Sequence, residues 1–322
     1  MLYQQTIPQI LEAINNSNHI LLVSHEKPDG DTLGSSLALS QFLSQKGKQH
    51  KHFCLDKPAS YFAFLPKIEN IISDYKLIDL SDHDLIIAID CGAIARTGIA
   101  SDLLNLKGKT IIVNIDHHQS NDNFGHYNLV VPNASSTSEI IYNFFILNKI
   151  PIDKYMATSL MTGILTDTMN FTNAITTQES LKAASDLLSL GARVNQIVTN
   201  LSQNKDLTAL KLWGKILSRL EINHQKNFAY TVVTKEDLAE AQIPLEAVDG
   251  LANFLSNLQD VDYILVLTQI DDETIKGSLR TTKDNIDVAK IAKDLGGDGH
   301  KKAAGFKIKG KLVKTGSGWE VL

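Results

Sequence analysis

The chain has 322 residues, of which 43% are apolar and 21% are charged, and its formal net charge is −5. This length suffices for two globular domains with substantial cores. The acidic balance argues against binding of long duplex nucleic acid, which usually needs a broad basic face. No run of about 18 apolar residues predicts a membrane span. The N-terminus lacks the order of a signal peptide, so we expect a cytoplasmic protein that does not bind membranes.

The first predicted elements are an N-terminal helix, a strand at about 19–24 and a helix at about 32–46. Between the strand and the second helix, His25, Asp29 and Asp31 lie within seven residues. One loop therefore aims an imidazole and two carboxylates at one point. This mixed nitrogen and oxygen set suits Mn²⁺, Fe²⁺, Co²⁺ or Zn²⁺ better than Ca²⁺. Pro-Asp-Gly is also an ordinary surface turn, so this segment does not decide the matter alone.

Two further apolar runs end in side chains that can bind metal. After a short predicted strand at about 51–55, the run 85–89 ends on Asp90, and the run 110–115 ends on Asp116-His117-His118. Near-continuous apolar runs are typical of buried parallel strands. Since the carboxyl ends of such strands share one crevice, the sequence predicts a common site at this edge of an α/β sheet.

A hydroxyl-rich segment, 133–139, predicts the start of a helix that runs to about 147, with at least one hydroxyl as its cap. The next predicted helix starts near Asp153 and ends near Asp167, and another covers about 178–190. The macrodipole disfavours a carboxylate at a helix C-terminus, and a nearby cation would remove that objection for Asp167.

The candidate metal ligands are four carboxylates and two imidazoles, too many for one ordinary site: His25, Asp29, Asp31, Asp90, His117 and Asp167. Four negative charges match two divalent cations, with one carboxylate bridging ions about 3.5–4 Å apart. Such a pair clamps a phosphoryl group and stabilises in-line displacement. A metal-dependent phosphoesterase is therefore the predicted enzyme.

The second half of the chain predicts a helical connector at 192–220 and a smaller α/β domain after it. Its predicted strands lie at 229–234, 263–270 and 274–280, and its helices at about 246–258 and 286–295. A glycine-rich loop, Gly296–Phe306, follows and contains His300. Backbone N–H groups of such a loop can approach an anion closely, and Arg280 and six lysines from Lys301 to Lys314 lie near it in sequence.

Together these motifs resemble those of the DHH phosphoesterase superfamily. The resemblance rests on His25-x3-Asp29-x-Asp31, Asp90 after an apolar strand, Asp116-His117-His118, Asp167, and a Gly296–Gly305 segment similar to the signature of the DHH-associated C-terminal domain. It covers essentially the whole chain. The two-domain length is similar to the bacterial nanoRNase/pAp-phosphatase branch, whose members hydrolyse very short RNA and 3′-phosphoadenosine 5′-phosphate.

The resemblance implies a role for each residue. His25, Asp29 and Asp90 would hold one metal, and Asp31, Asp90, His117 and Asp167 the other, with Mn²⁺ as the favoured ion. His118 would contact the phosphate as a donor or acid, and Asp116 would orient His117. The implied substrate contacts are Arg280, His300 and the amides of Gly297 and Gly299, with Arg96 added from the first domain. The superfamily loop commonly has glycine where this chain has Asp298, which we expect to point away in a left-handed turn.

The predicted domains are 1–191 (catalytic, parallel sheet), 192–220 (helical connector) and 221–322 (substrate-binding). The predicted partners are short single-stranded RNA or nucleotides, and the sequence leaves the oligomeric state open, a homodimer included. The main alternative is a phosphodiesterase for cyclic or linear dinucleotides. A pyrophosphatase is disfavoured by the glycine-rich segment, and a catalytically dead nucleotide-binding module by the presence of all six ligands.

Overall fold

The computed structural model describes residues 2–106, 110–202, 207–316 and 318–322. The chain divides into two compact units, Met1–Asn204 and Lys205–Leu322. The predicted connector spans the end of unit 1, the start of unit 2 and residues 203–206, which lie outside the described part. Within the described ranges, no helix is both long enough and apolar enough to cross a membrane.

Unit 1 contains a six-stranded, wholly parallel sheet in the order β3-β2-β1-β4-β5-β6. Its strands are β1 (His19–Ser24), β2 (Gln49–Phe53), β3 (Ile71–Ile72), β4 (Leu85–Ile89), β5 (Ile111–Asp116) and β6 (Tyr127–Val130). The strand order reverses between β1 and β4, and the crevice at the carboxyl ends of such strands is where α/β sheets bind ligands. The prediction of an α/β fold with an N-terminal parallel sheet is confirmed.

Helices cover both faces of this sheet. They are α1 (Leu2–Asn16), α2 (Gly30–Gln45), α3 (Ala100–Leu106), α4 (Thr137–Leu147), α5 (Lys154–Asp167), α6 (Gln178–Ser189) and α7 (Val194–Ser202). Successive strand residues point to opposite faces, so Leu22 and Ile87 join one buried cluster while Leu21 and Ile86 join the other. Each such fully buried side chain contributes about 1.5–3 kcal/mol.

Glycines allow α2 and α5 to cross closely. A Cβ atom on Gly34 would lie 2.9 Å from the backbone nitrogen of Gly163, and one on Gly30 would lie 2.5 Å from Thr166 Oγ1. Any larger residue at these positions would force the helices apart. The close crossing places the start of α2, with Asp31, beside the end of α5, with Asp167.

Unit 2 is built on a mixed sheet in the order β11-β12-β10-β9-β8-β7 and a separate hairpin, β13-β14. The strands are β7 (Glu221–Asn223), β8 (Phe228–Val233), β9 (Tyr263–Gln269), β10 (Thr274–Arg280), β11 (Asp298–His300), β12 (Ala303–Lys309), β13 (Leu312–Thr315) and β14 (Gly318–Val321). The helices are α8 (Leu207–Leu217), α9 (Lys235–Ala241), α10 (Leu251–Leu255) and α11 (Val288–Asp294). Among the described residues of unit 2, only β8 and β9 pair in parallel, and the predicted smaller α/β unit is confirmed.

The prediction of one helix over 246–258 is wrong. A short 3-10 helix, Leu245–Val248, precedes α10, and Gly250 between them has a φ of 88°, in the left-handed region that interrupts an α-helix.

The prediction of a loop over the glycine-rich segment is also wrong, because it forms β11 and the start of β12. A Cβ atom on Gly299 would lie 2.5 Å from Ala304 Cα, so these strands approach too closely for a side chain. Asp298 is exposed in β11, and the left-handed turn predicted for it is absent there. The positive φ values fall on Gly296 and Gly299, at 74° and 147°.

Candidate metal centre

The six predicted metal-ligand residues come together at the carboxyl edge of the unit 1 sheet. His25 directly follows β1, Asp90 directly follows β4, and His117 directly follows β5. The remaining three are Asp29 and Asp31, at the start of α2, and Asp167, the last residue of α5. Parallel strands deliver the first three to one edge, and the α2–α5 crossing brings the other carboxylates to the same place.

Two ligand groups form there and share Asp90. In one group, His25 Nε2 lies 3.7 Å from Asp29 Oδ2 and 3.5 Å from Asp90 Oδ2. In the other, His117 Nε2 lies 3.9 Å from Asp31 Oδ2 and 3.8 Å from Asp90 Oδ1. Asp167 Oδ2 approaches the same nitrogen at 3.2 Å. Each oxygen of Asp90 therefore faces a different group.

The Asp90 carboxylate is held on both sides by hydroxyl groups. Thr32 Oγ1 donates to Oδ2 at 2.6 Å, and Thr137 Oγ1 donates to Oδ1 at 2.9 Å. The backbone of Asp90 has a φ of 61°, a left-handed conformation that aspartate tolerates better than most residues. Its N–H donates to Ile115 O at 2.9 Å, which fixes this turn against β5. The hydroxyls near Thr137 were predicted only as helix caps, and Ser136 does cap α4.

The Asp31 carboxylate lies at the N-terminus of α4. Its two oxygens accept hydrogen bonds from Thr137 N at 2.6 Å and Ser138 N at 2.8 Å. The first amides of a helix have no intrahelical acceptor, and the macrodipole favours an anion there. The segment that starts α4 thus orients two ligands, Asp31 through amides and Asp90 through a hydroxyl.

Backbone carbonyls orient both ligand imidazoles. His25 Nδ1 lies 2.6 Å from Glu26 O, and His117 Nδ1 lies 3.3 Å from Ala134 O. A carbonyl only accepts, so Nδ1 carries a proton and Nε2 is the ring nitrogen that faces the carboxylates. A hydrogen bond of this kind is the usual support of a metal-binding histidine.

Asp116 is hydrogen-bonded to His118, which corrects the prediction that it orients His117. Its Oδ1 lies 2.7 Å from His118 Nδ1, and Asn121 Nδ2 donates to its Oδ2 at 2.5 Å. Burial alone would raise the pKa of Asp116, but His118 and Asn121 outweigh that effect and lower the pKa to about 2. His118 Nδ1 also lies 3.7 Å from Asp90 Oδ1, so this pair borders the metal centre.

The raised pKa values of three side chains in the centre are consistent with a site that binds cations. Burial, with the charges of Asp90 and Asp167, raises the pKa of Asp31 well above its ordinary value, and burial raises the pKa of Asp167 to about 6. Burial alone would lower the pKa of His117, but Asp167, Asp90 and Asp31 raise it. Asp31, Asp167 and His117 therefore hold protons more tightly than they would in water, whereas His25 outweighs the effect of burial at Asp29 and lowers the pKa of that carboxyl. Divalent cations would take the place of those protons.

Among the predicted substrate-binding residues of unit 1, Arg96 lies in a 3-10 helix, Ile94–Thr97, after β4. Its NH1 is 3.9 Å from Glu26 Oε1, and its carbonyl accepts from Glu26 N at 2.8 Å. The side chain is 45% exposed. Arg96 therefore lies beside the His25 loop and is open to solvent.

In unit 2, Arg280 lines a pocket of about 100 Å³ together with Lys276, Ser278 and Thr268. Its Nε donates to Asn253 Oδ1 at 2.5 Å and its NH1 to Leu279 O at 2.8 Å. Burial lowers the pKa of Arg280, whose ordinary value is so high that the group keeps its charge.

The glycine-rich segment is less open to an anion than predicted. The Gly297 N–H donates to Ala292 O at 2.8 Å, so this amide is already used, and its predicted contact with substrate is wrong. Gly299 and His300 lie in the edge strand β11, and His300 is exposed.

Two family models match the chain. The DHH family, N-terminal domain, matches residues 19–164, which include five of the six candidate ligands. The DHHA1 domain matches residues 225–315, which include the Arg280 pocket and the β11-β12 hairpin.

Similar proteins cover nearly the whole chain. A bifunctional oligoribonuclease and PAP phosphatase of Thermus thermophilus is 30% identical over 94% of this chain and 88% of that protein. A cyclic-di-AMP phosphodiesterase of Listeria monocytogenes is 27% identical over 92% of this chain but only 46% of that protein. Among solved structures, an exopolyphosphatase-related protein from Bacteroides fragilis has a similar fold, with a TM-score of 0.85 and 26% sequence identity. The superposition covers 94% of this chain and 91% of that protein.

Proposed function

The chain belongs to the DHH family of metal-dependent phosphoesterases, and we propose that it hydrolyses phosphate esters in short RNA oligonucleotides and in 3′-phosphoadenosine 5′-phosphate. The observation that carries the reaction type is the pair of ligand groups sharing Asp90. The substrate class is supported by the Thermus relative, an oligoribonuclease and PAP phosphatase similar along nearly its whole length.

Two divalent cations, Mn²⁺ in our proposal, would occupy the two groups. His25, Asp29 and Asp90 would hold one, and Asp31, Asp90, His117 and Asp167 the other. When bound, such ions polarise a phosphoryl oxygen and lower the pKa of a bound water. The carbonyls behind His25 and His117 keep both Nε2 atoms available as ligands.

His118 is the residue that we propose to act on the substrate beside the metals. Its Nδ1 is hydrogen-bonded to Asp116, so its other ring nitrogen, Nε2, would be the atom that contacts the phosphate and hands a proton to the leaving oxygen. Asp116 is the positioning residue for this imidazole, as a carboxylate behind a catalytic histidine commonly is.

The substrate-binding role of unit 2 is also part of the proposal. Arg280 and Lys276 bring two cationic groups to one small polar pocket, where they outnumber the one carboxylate, Asp249, and Ser278 and Thr268 add hydroxyl donors. This combination suits an anionic phosphate, which guanidinium groups bind through several hydrogen bonds. Gly299, His300 and Arg96 stay proposed contacts.

A hydrolysis panel tests the function. The purified chain would be assayed with Mn²⁺ on 3′-phosphoadenosine 5′-phosphate, RNAs of two to five nucleotides, linear and cyclic di-AMP, and pyrophosphate, each with an EDTA control. The proposal predicts metal-dependent turnover with the highest kcat/KM on the first two substrates. A preference for pyrophosphate, or turnover that survives EDTA, would contradict it.

A second candidate is a phosphodiesterase for cyclic or linear dinucleotides. It is favoured by the similarity to the Listeria cyclic-di-AMP phosphodiesterase over 92% of this chain. The two candidates share the metal chemistry and differ in substrate, so the same panel separates them. A kcat/KM on di-AMP at least about tenfold above that on short RNA would favour this alternative, since that ratio corresponds to about 1.4 kcal/mol.

A further inference from the structure

We propose that Asn121 is a positioning residue whose side-chain amide fixes His118 relative to Asp90; its kinetic consequence rests on the function proposed above. Asn121 follows His118 by three residues, lies outside β5 and is half-buried. The residues that it joins lie at the ends of two neighbouring strands, β4 and β5.

The nitrogen of the amide connects those two strand ends. Nδ2 donates to Asp116 Oδ2 at 2.5 Å and to Cys91 O at 3.1 Å. Cys91 directly follows Asp90, and Asp116 directly precedes His117, so one amide group links the turn that carries the shared ligand to the segment that carries both histidines.

The oxygen of the amide is held equally well. Oδ1 accepts from Asn114 Nδ2 at 2.8 Å and from Asn123 N at 2.7 Å. An amide side chain offers two N–H donors and two acceptor positions, and all four are used in this network. The orientation of the Asn121 amide is therefore determined by its neighbours. Asn114, which donates one of these hydrogen bonds, is itself completely buried on β5.

The two hydrogen bonds that Asn121 donates, to Asp116 and to the Cys91 carbonyl, both affect the position of the His118 ring. On one side, Asp116 Oδ1 holds His118 Nδ1 at 2.7 Å. On the other, the ring packs on Gly92, where an added Cβ would lie 3.2 Å from His118 Cγ. Gly92 follows Cys91, whose carbonyl Asn121 holds. Asn121 therefore fixes the carboxylate that binds the ring and also the backbone turn against which the ring lies.

An aspartate at position 121 would have nearly the same shape and the opposite effect. Its carboxylate would face the Asp116 carboxylate and the Cys91 carbonyl, with no N–H to donate to either. An unpaired buried acceptor and a like-charge contact both disfavour that arrangement. Asn121→Asp thus removes the two donated bonds while leaving the size of the side chain almost unchanged, and Asn143→Asp, the same change at an exposed position of α4, is the matched control.

The direct test is NMR spectroscopy of the full chain loaded with Mg²⁺, which is diamagnetic. Long-range proton–nitrogen spectra report both ring nitrogens of His118, assigned by their loss in His118→Ala. We expect Asn121→Asp to shift the His118 nitrogen resonances, and Asn143→Asp to leave them unchanged, with the thermal unfolding midpoint measured for both. Unchanged His118 resonances in folded Asn121→Asp would overturn the proposal. This readout needs no turnover, so it decides the matter even if the proposed function is wrong.

A double-mutant cycle tests the kinetic consequence on whichever phosphoester the wild type hydrolyses. Asn121→Asp should lower kcat about 10- to 100-fold, the usual effect of removing an outer support, with KM within about threefold. In the His118→Ala background the same substitution should change kcat by no more than about twofold, because its effect passes through that ring. An equal loss in both backgrounds would show that Asn121 acts elsewhere and would overturn the proposal.

Discussion

Asp90 is the residue on which the geometry of the centre depends most. It is 2% exposed, stands in a left-handed turn, and presents one oxygen to each ligand group. Left-handed backbone costs a non-glycine residue about 1–3 kcal/mol and persists only where the surroundings require it. At Asp90 three hydrogen bonds enforce this conformation, two from threonine hydroxyls to the carboxylate and one from the Asp90 N–H to a β5 carbonyl.

Metal binding should release protons. Burial raises the pKa of Asp167 to about 6, and His25 and His117 also hold protons above their ordinary range through contacts with the carboxylates. A raised pKa means that protons are bound at a pH where the free group has lost them, and a cation must displace them. We expect Mn²⁺ affinity to rise with pH from about 5 to 8.

Isothermal titration calorimetry in two buffers of different ionisation enthalpy measures that release. The expected result is a buffer-dependent enthalpy that corresponds to net proton loss from the protein, larger at the lower pH. A buffer-independent enthalpy across the range would contradict the raised pKa values of Asp167, His25 and His117.

The six ligand candidates were predictable from sequence because each directly follows an apolar run or stands at a helix end. Parallel strands end at one edge, so position along the chain was enough to bring His25, Asp90 and His117 together. The residues that orient these ligands and His118 were not predictable. Thr32 and Asn121 act through side-chain contacts that depend on strand register and rotamers, and the assignment of Asp116 to the wrong histidine has the same cause.

At the scale of elements, the α2–α5 crossing places two of the carboxylates. A Cβ atom at Gly163 would clash with Ser138 Oγ and would lie 2.6 Å from Asp31 Oδ1. We therefore expect Gly163→Ala to displace Asp31 and weaken Mn²⁺ binding about 10- to 100-fold, as measured by titration calorimetry.

The matched control is Gly214→Ala in α8, where an added Cβ would meet nothing within 4 Å. That substitution should leave Mn²⁺ binding unchanged and stabilise the helix by about 0.5–1 kcal/mol. Equal Mn²⁺ affinity in the two variants would contradict the role of the close crossing in placing Asp31.

Unit 2 contains a buried ionic cluster that should stabilise it. Asp237 accepts from Arg219 NH1 and NH2 at 2.5 and 2.7 Å, and from Thr234 N at 2.9 Å, with Lys215 Nζ at 3.0 Å. These contacts outweigh burial and lower the pKa of Asp237. Because the pKa of Asp237 is lower in the folded state than in the unfolded state, the ionised carboxylate stabilises the fold above about pH 4. This stabilisation is lost as the pH falls toward the pKa of the folded state.

Asp237→Asn should lower the free energy of unfolding by about 3 kcal/mol at pH 7, the lower end for a broken buried pair. Both tryptophans, Trp213 and Trp319, lie in unit 2, so urea unfolding followed by tryptophan fluorescence reports on this unit. Glu240→Gln, which alters a largely exposed pair with Lys215, should cost less than about 1 kcal/mol. Similar losses in the two variants would be inconsistent with a buried cluster.

The two predicted elements that the structure contradicts lie in unit 2. Apolar periodicity continues across Gly250, but the left-handed backbone there divides the predicted helix. The glycine-rich segment looked like an anion-binding loop because glycine suits both a loop and a close strand pair, and only the pairing of β11 with β12 decides between them. In unit 1, long apolar runs left fewer alternatives, and β1, β2, β4 and β5 were predicted within a few residues, whereas the short edge strands β3 and β6 were not predicted.

At the scale of the whole molecule, we propose that unit 1 performs the chemistry and unit 2 binds the substrate. Arg280→Ala should then raise KM about 10- to 100-fold with kcat little changed, since it removes charge-assisted hydrogen bonds worth about 1.5–3 kcal/mol. Lys307→Ala, which removes an exposed charge on β12 of the same sheet, should leave both constants unchanged. A fall in kcat at constant KM for Arg280→Ala would move that residue from binding to catalysis.

The most direct test of the central claim is the number of Mn²⁺ ions bound per chain, measured in the wild type and in Asp90→Asn by equilibrium dialysis and elemental analysis. Two ligand groups that share one carboxylate predict two ions in the wild type and at most one in the variant. Loss of the second ion in Asp90→Asn should be accompanied by a fall in kcat of at least about 10³-fold. A single ion in the wild type, or two ions and normal turnover in Asp90→Asn, would contradict a two-metal centre built around Asp90.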